Sequence, residues 1–323
     1  MPKIRQNLFN RAKIASILEN ISTEELSDDA AQCRQIIANW YELLREKIPE
    51  GKNEISLQDD FLRDFFIRIL DYKSISESPS AAHKEWHLYR EKKTITDSTR
   101  SDAALGFFSP EKDDVRVIVE LKSAKTDLDA KQNRKGLNET PVGQAFSYAN
   151  KSGKNCKWVI VSNYREIRLY RYSPGMAEYE AFFIERLKDE AELKKFLYLL
   201  SRKNLINREQ DSEIDRLYAA NEAEQEKISK EFYSKYKNLR LNIFQHFKDR
   251  NTNYSELILL EKTQKFLDRF IFICYCEDLG LLPEKTFRKM TEAVTNPAVF
   301  VPMTLWDQLK NFFRAIDNGS QAH

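Results

Sequence analysis

Three short runs of β-branched and aromatic residues constrain the fold of this chain, because helical periodicity surrounds them on both sides. They are VRVIVELK (115–122), KWVIVSN (157–163) and IRLYRY (167–172), and each has the length and composition of a β-strand. The segment 141–149 predicts a helix between the first two runs, and the short link NYRE predicts a hairpin between the last two. This order predicts a mixed α/β unit rather than a repeat or a sandwich.

Helical periodicity dominates the rest of the chain. Apolar residues three and four positions apart predict core-facing helices over 36–48 and 56–72, with Ser56 as the N-cap of the second. The same spacing predicts further helices over 215–247 and 257–284. The α/β unit is therefore expected to lie between two helical regions.

The change of pattern along the chain predicts two domains. The first is expected at 1–183 and includes a helical N-terminal extension over about 1–50. The second is expected at 184–323 as an all-α connector domain. The last predicted helix is followed only by a polar loop, so we expect the chain to be a fragment of a longer protein.

The composition limits the classes of protein that fit. Of 323 residues, 41% are hydrophobic and the formal net charge is +2, which argues against wholesale disorder and against a globally basic surface. The N-terminus lacks a signal-peptide pattern, and no apolar run is long enough to cross a membrane. Four scattered cysteines without a CxxC pair give no zinc spacing and predict reduced thiols in the cytoplasm; they are Cys33, Cys156, Cys274 and Cys276.

The first β-run carries an acid and a base on one face. Side chains alternate between the two faces of a strand, so Ile118, Glu120 and Lys122 project together. The opposite face is apolar and suits a core; its residues are Val115, Val117, Val119 and Leu121. The carboxylate can hold a hard divalent cation, and the ammonium can orient a water or stabilise developing charge. The alternative is an edge strand with a solvated ion pair.

A second carboxylate precedes this run. A hairpin would bring Asp102 opposite Glu120 and give a second oxygen to the same cation. Mg²⁺ typically takes one or two carboxylates, several waters and substrate phosphate oxygens. Asp102 and Glu120 are thus the predicted metal ligands and, with Lys122, predicted catalytic residues acting on a phosphodiester.

The helix predicted after the first strand adds a third element. Gln144 and Tyr148 are four residues apart in QAFSY and share one helical face. Gln144 is a predicted catalytic residue that hydrogen-bonds a phosphate or the attacking water, and Tyr148 is a predicted DNA contact. The alternative is an ordinary amphipathic helix with a polar edge.

An acidic residue, E-x-K on the next strand and Q-xxx-Y on the following helix form a pattern of the PD-(D/E)XK nuclease superfamily. This chain resembles that pattern at Asp102, Glu120, Lys122, Gln144 and Tyr148. Ser101 replaces the leading proline. The resemblance implies a mixed central sheet flanked by helices. In many members an acid on the leading helix joins the site; the role of the candidates here stays open, and they are Gln58, Asp59 and Asp60.

Longer stretches resemble the N-terminal endonuclease and helical connector part of type IIG restriction–modification proteins, which fuse a nuclease to an adenine methyltransferase. They include RSDAALGF, WVIVSNYREIRLY and KFLDRFIFICYCEDLGLLPE, and the likeness runs from about residue 50 to the end. It implies double-stranded DNA as partner and Mg²⁺ for the nuclease. S-adenosylmethionine is expected only for a fused methyltransferase, which lies with the specificity domains beyond this chain. NPAV (296–299) is not the N-P-P-Y/F motif, and F-x-G-x-G is absent, so we predict no methyl transfer here.

DNA contact is predicted from a basic segment beside the expected site. The segment 122–140 is long and polar and predicts a mobile loop that contacts phosphates, with an ordinary solvated loop as the alternative. The predicted DNA-binding residues in it are Lys125, Lys131, Arg134 and Lys135. Arg100 and Arg165 are further candidates, whereas Arg168 is predicted on the solvent face of its strand.

Three hypotheses about function follow. The first is a Mg²⁺-dependent DNA endonuclease of a restriction–modification enzyme. The second is the nuclease of a type I restriction subunit, and the third is a catalytically silent nuclease-like fold that binds DNA or a partner. His83 and His87 lack the H-E-x-x-H arrangement of a metalloprotease and are predicted to be surface histidines.

Overall fold

The structure is a computed structural model that describes residues 7–45, 54–77, 84–97, 99–132, 139–172, 178–278, 280–283, 285–295 and 304–318. The chain divides into two compact units, Met1–Glu224 and Gln225–His323. Among the described residues, no helix combines the length and the apolar character that a membrane span requires.

The part of the first unit before the sheet contains, among its described residues, the α-helices α1 (Arg11–Glu19), α2 (Thr23–Leu26), α3 (Ala30–Arg45) and α4 (Glu54–Phe61). α4 continues as a π-helix over Leu62–Ile69, so the second half of the helix predicted at 56–72 has a wider turn. Ser56 lies inside α4, and the prediction that it is the N-cap is wrong because the helix begins two residues earlier, at Glu54.

Within the described residues, six strands form one mixed sheet: β1 (Trp86–Lys93), β2 (Arg100–Phe108), β3 (Asp113–Leu121), β4 (Trp158–Ser162), β5 (Glu166–Arg171) and β6 (Glu180–Phe183). They lie in chain order across the sheet, and every neighbouring pair is antiparallel except β3 and β4. α5 (Pro141–Asn150) provides the crossover that a parallel pair requires. The predicted α/β fold, with a mixed central sheet and flanking helices, is confirmed.

The α-helices α6 (Glu190–Leu200), α7 (Arg202–Leu205) and α8 (Glu213–Arg250) come next along the chain. Phe196, Leu200 and Ile214 lie in the same apolar core as the sheet. The first compact unit therefore extends to Glu224, past the boundary predicted at 183. The division into a nuclease domain and a connector stays a prediction about functional parts.

Apolar cores cover both faces of the sheet. One core joins Val117, Val119 and Trp158 to the helices that surround the sheet. The other packs α5 against the opposite face through Ile118 and Phe146. Because both faces are covered, a polar side chain on an inner strand is enclosed rather than solvated.

A β-bulge changes the predicted faces of β3. Leu105 pairs with Val117, but the next residue, Gly106, pairs with Val115, so Arg116 is the extra residue in β3. Val115 consequently joins the core around α5 instead of the core that contains Val117, and its predicted position is wrong. Beyond the bulge the alternation holds as predicted.

The second unit is helical, as predicted for the connector. α8 continues into it and is followed by α9 (Glu256–Asp278), α10 (Thr286–Thr295) and α11 (Leu305–Asn318). Aromatic rings pack between these helices, with Phe270 stacked on Phe287 at a centroid distance of 4.4 Å and edge-on to Phe313 at 5.8 Å. These ring contacts join α9 to α10 and α11 within the second unit.

Candidate active site

The two predicted metal ligands lie on neighbouring antiparallel strands. β2 and β3 pair with Ala103 opposite Val119, and continuation of that register sets Asp102 beside Glu120. The Asp102 carboxylate Oδ2 accepts the backbone N–H of Leu121 at 2.6 Å, which fixes the carboxylate against β3. The hairpin expected from the sequence therefore brings the two acids together.

Glu120 is an ionisable group in a buried position. It is only 2% exposed, and its Oε1 accepts a hydrogen bond from Lys122 Nζ at 2.6 Å. Its other oxygen, Oε2, has no hydrogen-bond partner among the described residues. Burial, and next the charge of Asp102, raise the pKa of Glu120 to about 7, although Lys122 acts in the opposite direction. A buried oxygen without a donor is a site for a cation or a water.

Lys122 is fixed by its backbone as well as by its ion pair. Its N–H donates to the carbonyl of Ser162 at 2.8 Å, which extends the β3–β4 pairing by one residue. Its side chain is 12% exposed, so the ammonium is mostly enclosed beside Glu120. The predicted E-x-K arrangement, with both side chains on one face, is present.

The donor set fits a hard divalent cation. No group of three or more His, Cys, Asp or Glu side chains suited to a metal occurs among the described residues. Asp102 and Glu120 offer the one or two carboxylates that Mg²⁺ uses when waters and phosphate oxygens complete its shell.

α5 brings two further predicted residues beside the carboxylates. The helix begins at Pro141 with Thr140 as N-cap and packs against β3 and β4. Gln144 Nε2 donates to the Tyr148 hydroxyl at 2.8 Å. Burial raises the pKa of Tyr148, and the charges of Glu120 and Asp102 add to this, while Gln144 and Lys122 lower it. Tyr148 is therefore within electrostatic reach of the acidic pair.

The described residues of the segment after β3, which the sequence predicts as a mobile loop, are anchored at two points. Leu128 is 1% exposed in the core around α5, and Asn163 Nδ2 donates to the Thr126 carbonyl at 2.9 Å. Lys125 and Lys131 are exposed on this segment, as DNA-contacting residues would have to be. The other two predicted contacts, Arg134 and Lys135, lie outside the described residues.

Arg168 is buried, and its predicted solvent position is wrong. It is 4% exposed; its Nε donates to Glu166 Oε1 at 2.8 Å and its Nη1 to Asp129 Oδ1 at 3.0 Å. Val161 is its partner on β4, so Arg168 faces the same side of the sheet as the core around α5. The triplet Glu166-x-Arg168 was a usable signal, because alternation puts both side chains on one face.

The other sequence candidates make contacts elsewhere. Arg100 pairs with Glu91, and Arg165 Nη2 donates to the Leu44 carbonyl at the end of α3. On the leading helix, Asp59 pairs with Arg90 and Asp60 with Arg63; Gln58 is half-buried, and its role stays open.

The prediction of surface histidines is wrong for His87. His87 is 7% exposed, and burial lowers its pKa to about 4. Its ring packs edge-on against Phe107, and its backbone N–H donates to the Lys73 carbonyl at 2.8 Å. His83 lies outside the described residues.

One residue at the site was missed from the sequence. Gln132 Nε2 donates to Gln144 Oε1 at 3.1 Å, so it belongs to the same hydrogen-bonded chain as Tyr148. Nothing in its local pattern distinguishes Gln132 from the other polar residues of the segment. Only the return of the chain through α5 brings the two glutamines together.

Two carboxylates and a lysine lie on adjacent strands of the mixed sheet, with the crossover helix α5 beside them. This arrangement defines a nuclease-like α/β domain, and an all-α region follows it. The family model described as MmeI, N-terminal domain, matches residues 28–221, and the chain belongs to this family. That domain is the endonuclease part of a type IIG restriction enzyme, which confirms the resemblance to such enzymes over the matched residues. Comparisons with curated proteins and with solved structures gave no match.

Proposed function

We propose that the first unit is a Mg²⁺-dependent endonuclease domain that hydrolyses phosphodiester bonds in double-stranded DNA. The observation that carries this proposal is the buried Glu120 carboxylate, with one oxygen paired to Lys122 and the other without a hydrogen-bond partner among the described residues. A fold that encloses a carboxylate at this cost in solvation, beside a second acid, has the donor set for a cation. Membership of a restriction-enzyme family supports the same conclusion.

Each side chain has a distinct role in this proposal. Asp102 and Glu120 would hold the cation, and a bound Mg²⁺ would neutralise charge on the phosphate as water attacks. Lys122 keeps N–H groups beyond the one given to Glu120, and these would donate to the water or to a phosphate oxygen. Gln144, on α5, would hydrogen-bond the same water or phosphate oxygen and hold it in position.

We also propose a more specific class of nuclease for this domain. The motifs support a PD-(D/E)XK site, and the family supports a type IIG enzyme whose full-length chain adds methyltransferase and specificity domains. S-adenosylmethionine would serve only that methyltransferase. All four cysteines are free thiols, which suits a cytoplasmic location.

A plasmid cleavage assay tests the proposal. Supercoiled DNA would be incubated with the chain at low salt in Mg²⁺, Mn²⁺ or EDTA. We expect metal-dependent nicking, reduced about 100-fold by Lys122→Met, because the ammonium that stabilises charge at the phosphate is removed. Lys157→Met is the control, since Lys157 pairs with Asp211 at the opposite end of β4. Equal nicking by wild type and Lys122→Met would exclude this site as the source of cleavage.

DNA binding by the anchored segment gives a second prediction. Replacing both Lys125 and Lys131 by Glu should weaken binding and reduce the slope of log Kd against log salt concentration by about 2, because two phosphate contacts are lost. Fluorescence anisotropy with a labelled duplex in Ca²⁺ would measure this. Lys112→Glu with Lys154→Glu makes the same charge change at exposed positions away from the carboxylates. An equal loss in both double variants would mean that the effect is one of total charge.

A further inference from the structure

A chain of three side chains links the anchored segment to the site. Gln132 Nε2 donates to Gln144 Oε1 at 3.1 Å, and Gln144 Nε2 donates to the Tyr148 hydroxyl at 2.8 Å. All three side chains are half-buried. The two hydrogen bonds therefore run in one direction, from the amide of Gln132 through Gln144 to the phenol oxygen of Tyr148.

The first member of this chain is fixed by the backbone. The N–H of Gln132 donates to the carbonyl of Glu139 at 3.0 Å, next to the N-cap of α5. Upstream, Arg168 donates to both oxygens of Asp129, at 3.0 and 3.3 Å. Gln132 thus lies between Asp129, which pairs with the buried Arg168, and the start of the helix that carries its partner.

The direction of these hydrogen bonds determines where the phenol proton of Tyr148 points. The amide of Gln144 has one oxygen and one NH₂ group, and the N–H from Gln132 occupies the oxygen. The NH₂ group then faces Tyr148, whose oxygen accepts. A phenol has a single proton, so Tyr148 is left to donate it away from Gln144. Tyr148 packs against the core around α5, which contains Val161, and Val161 is the β4 partner of Glu120, so Tyr148 and Glu120 lie on the same face of the sheet.

We propose that Gln132 is a positioning residue that fixes the Gln144 amide and thereby directs the Tyr148 hydroxyl proton toward the phosphate of bound DNA. This inference rests on the proposed nuclease function. Gln132 acts through Gln144 and Tyr148, and its own side chain does not touch the phosphate.

Gln132→Glu is the informative substitution. A carboxylate only accepts, so it requires an N–H from Gln144 and forces that amide to turn over. The Gln144 oxygen then faces Tyr148, which donates its proton to Gln144 instead of to DNA. Tyr148→Phe removes the same proton directly. The two variants therefore abolish one and the same hydrogen bond.

Single-turnover cleavage at saturating DNA would measure the coupling. We expect Gln132→Glu and Tyr148→Phe each to lower the rate about 20-fold, as for a hydrogen bond to a charged group, with little change in Kd for DNA. The double variant should be no slower than either single variant. Ala130→Glu adds the same charge at an exposed position of the segment, and its effect should multiply with that of Tyr148→Phe.

A readout that does not need cleavage is the NMR signal of the Gln144 side-chain amide in ¹⁵N-glutamine-labelled chain, assigned by its loss in Gln144→Glu. Both Gln132→Glu and Tyr148→Phe should shift this signal, and Ala130→Glu should not. The inference would be overturned if the rate effects multiplied in the double variant, or if the Gln144 signal did not move in Gln132→Glu. Metal-dependent cleavage by wild type would still support the proposed function in that case. Absence of wild-type cleavage would instead refute the proposed function, and the catalytic role of Gln132 with it.

Discussion

Glu120→Gln is expected to abolish cleavage and, at alkaline pH, to stabilise the metal-free protein. The amide keeps the shape of the side chain but removes a charge that the cation requires, so the rate should fall about 1,000-fold. The same charge is enclosed at 2% exposure, with one oxygen lacking a partner among the described residues. Removing it relieves the cost of burying a carboxylate.

The gain in stability should depend on pH in a defined direction. The pKa of Glu120 is about 7 in the folded protein, above the ordinary value of 4.5. The protonated carboxyl therefore stabilises the fold fully below about pH 4.5, and this contribution is lost as the pH rises through 7. At about pH 8 the Gln variant should exceed wild type by about 3 kcal/mol in free energy of unfolding. Near pH 5 the difference should fall below about 1 kcal/mol.

Urea denaturation in EDTA at these two pH values measures the effect, with cleavage assayed in parallel. Glu180→Gln is a matched control, because Glu180 is also 2% exposed but accepts hydrogen bonds from the Phe9 N–H and pairs with Lys195 at 2.6 Å. That substitution should lower stability and leave cleavage unchanged. If Glu120→Gln were equally destabilising at both pH values, Glu120 would be a structural ion-pair partner of Lys122 and nothing more.

The sequence was sufficient for the parts of this site that depend on local geometry. Alternation along β3 puts Glu120 and Lys122 on one face, and helical spacing puts Gln144 and Tyr148 on another. These relations hold over two to four residues and are independent of the rest of the fold. The hairpin that brings Asp102 to Glu120 needed one further step, namely the pairing of adjacent strands.

The missed features depend on distant parts of the chain. β1 and β6 are edge strands whose sequences, WHLYREKK and EAFF, lack a clear alternation of apolar and polar residues. Arg168 is buried, and it pairs with Asp129 on the segment after β3. Likewise Gln132 meets Gln144 only after the chain returns through α5. In each case the partner is remote in sequence, so local periodicity contains no trace of the contact.

Gly106→Ala is expected to destabilise the protein, because Gly106 lies in β2 where the pairing with β3 shifts at the β-bulge at Arg116. A Cβ at this position would lie 2.1 Å from the backbone carbonyl oxygen of Asp114. Because that carbonyl belongs to the paired strand β3, it cannot move without disturbing the β2–β3 ladder. Gly106→Ala should therefore reduce the free energy of unfolding by about 3 kcal/mol or more.

The substitution should also affect the site, since Asp102 and Glu120 depend on the same pairing. A shift of β2 against β3 by one residue would turn one carboxylate to the opposite face of the sheet. We therefore expect Gly106→Ala to lose cleavage to a greater extent than its unfolded fraction explains. Urea denaturation and cleavage well below the transition would separate the two effects.

Gly143→Ala is the matched control for this substitution. Gly143 lies in the first turn of α5, where an added Cβ would meet Thr140 Oγ1 at an ordinary 3.4 Å. Alanine in a helix is favoured over glycine, so this variant should gain about 0.5–1 kcal/mol and keep its cleavage. Equal stability of the two variants would mean that the bulge tolerates a side chain, and the glycine would then not be what fixes the register of the strands that carry Asp102 and Glu120.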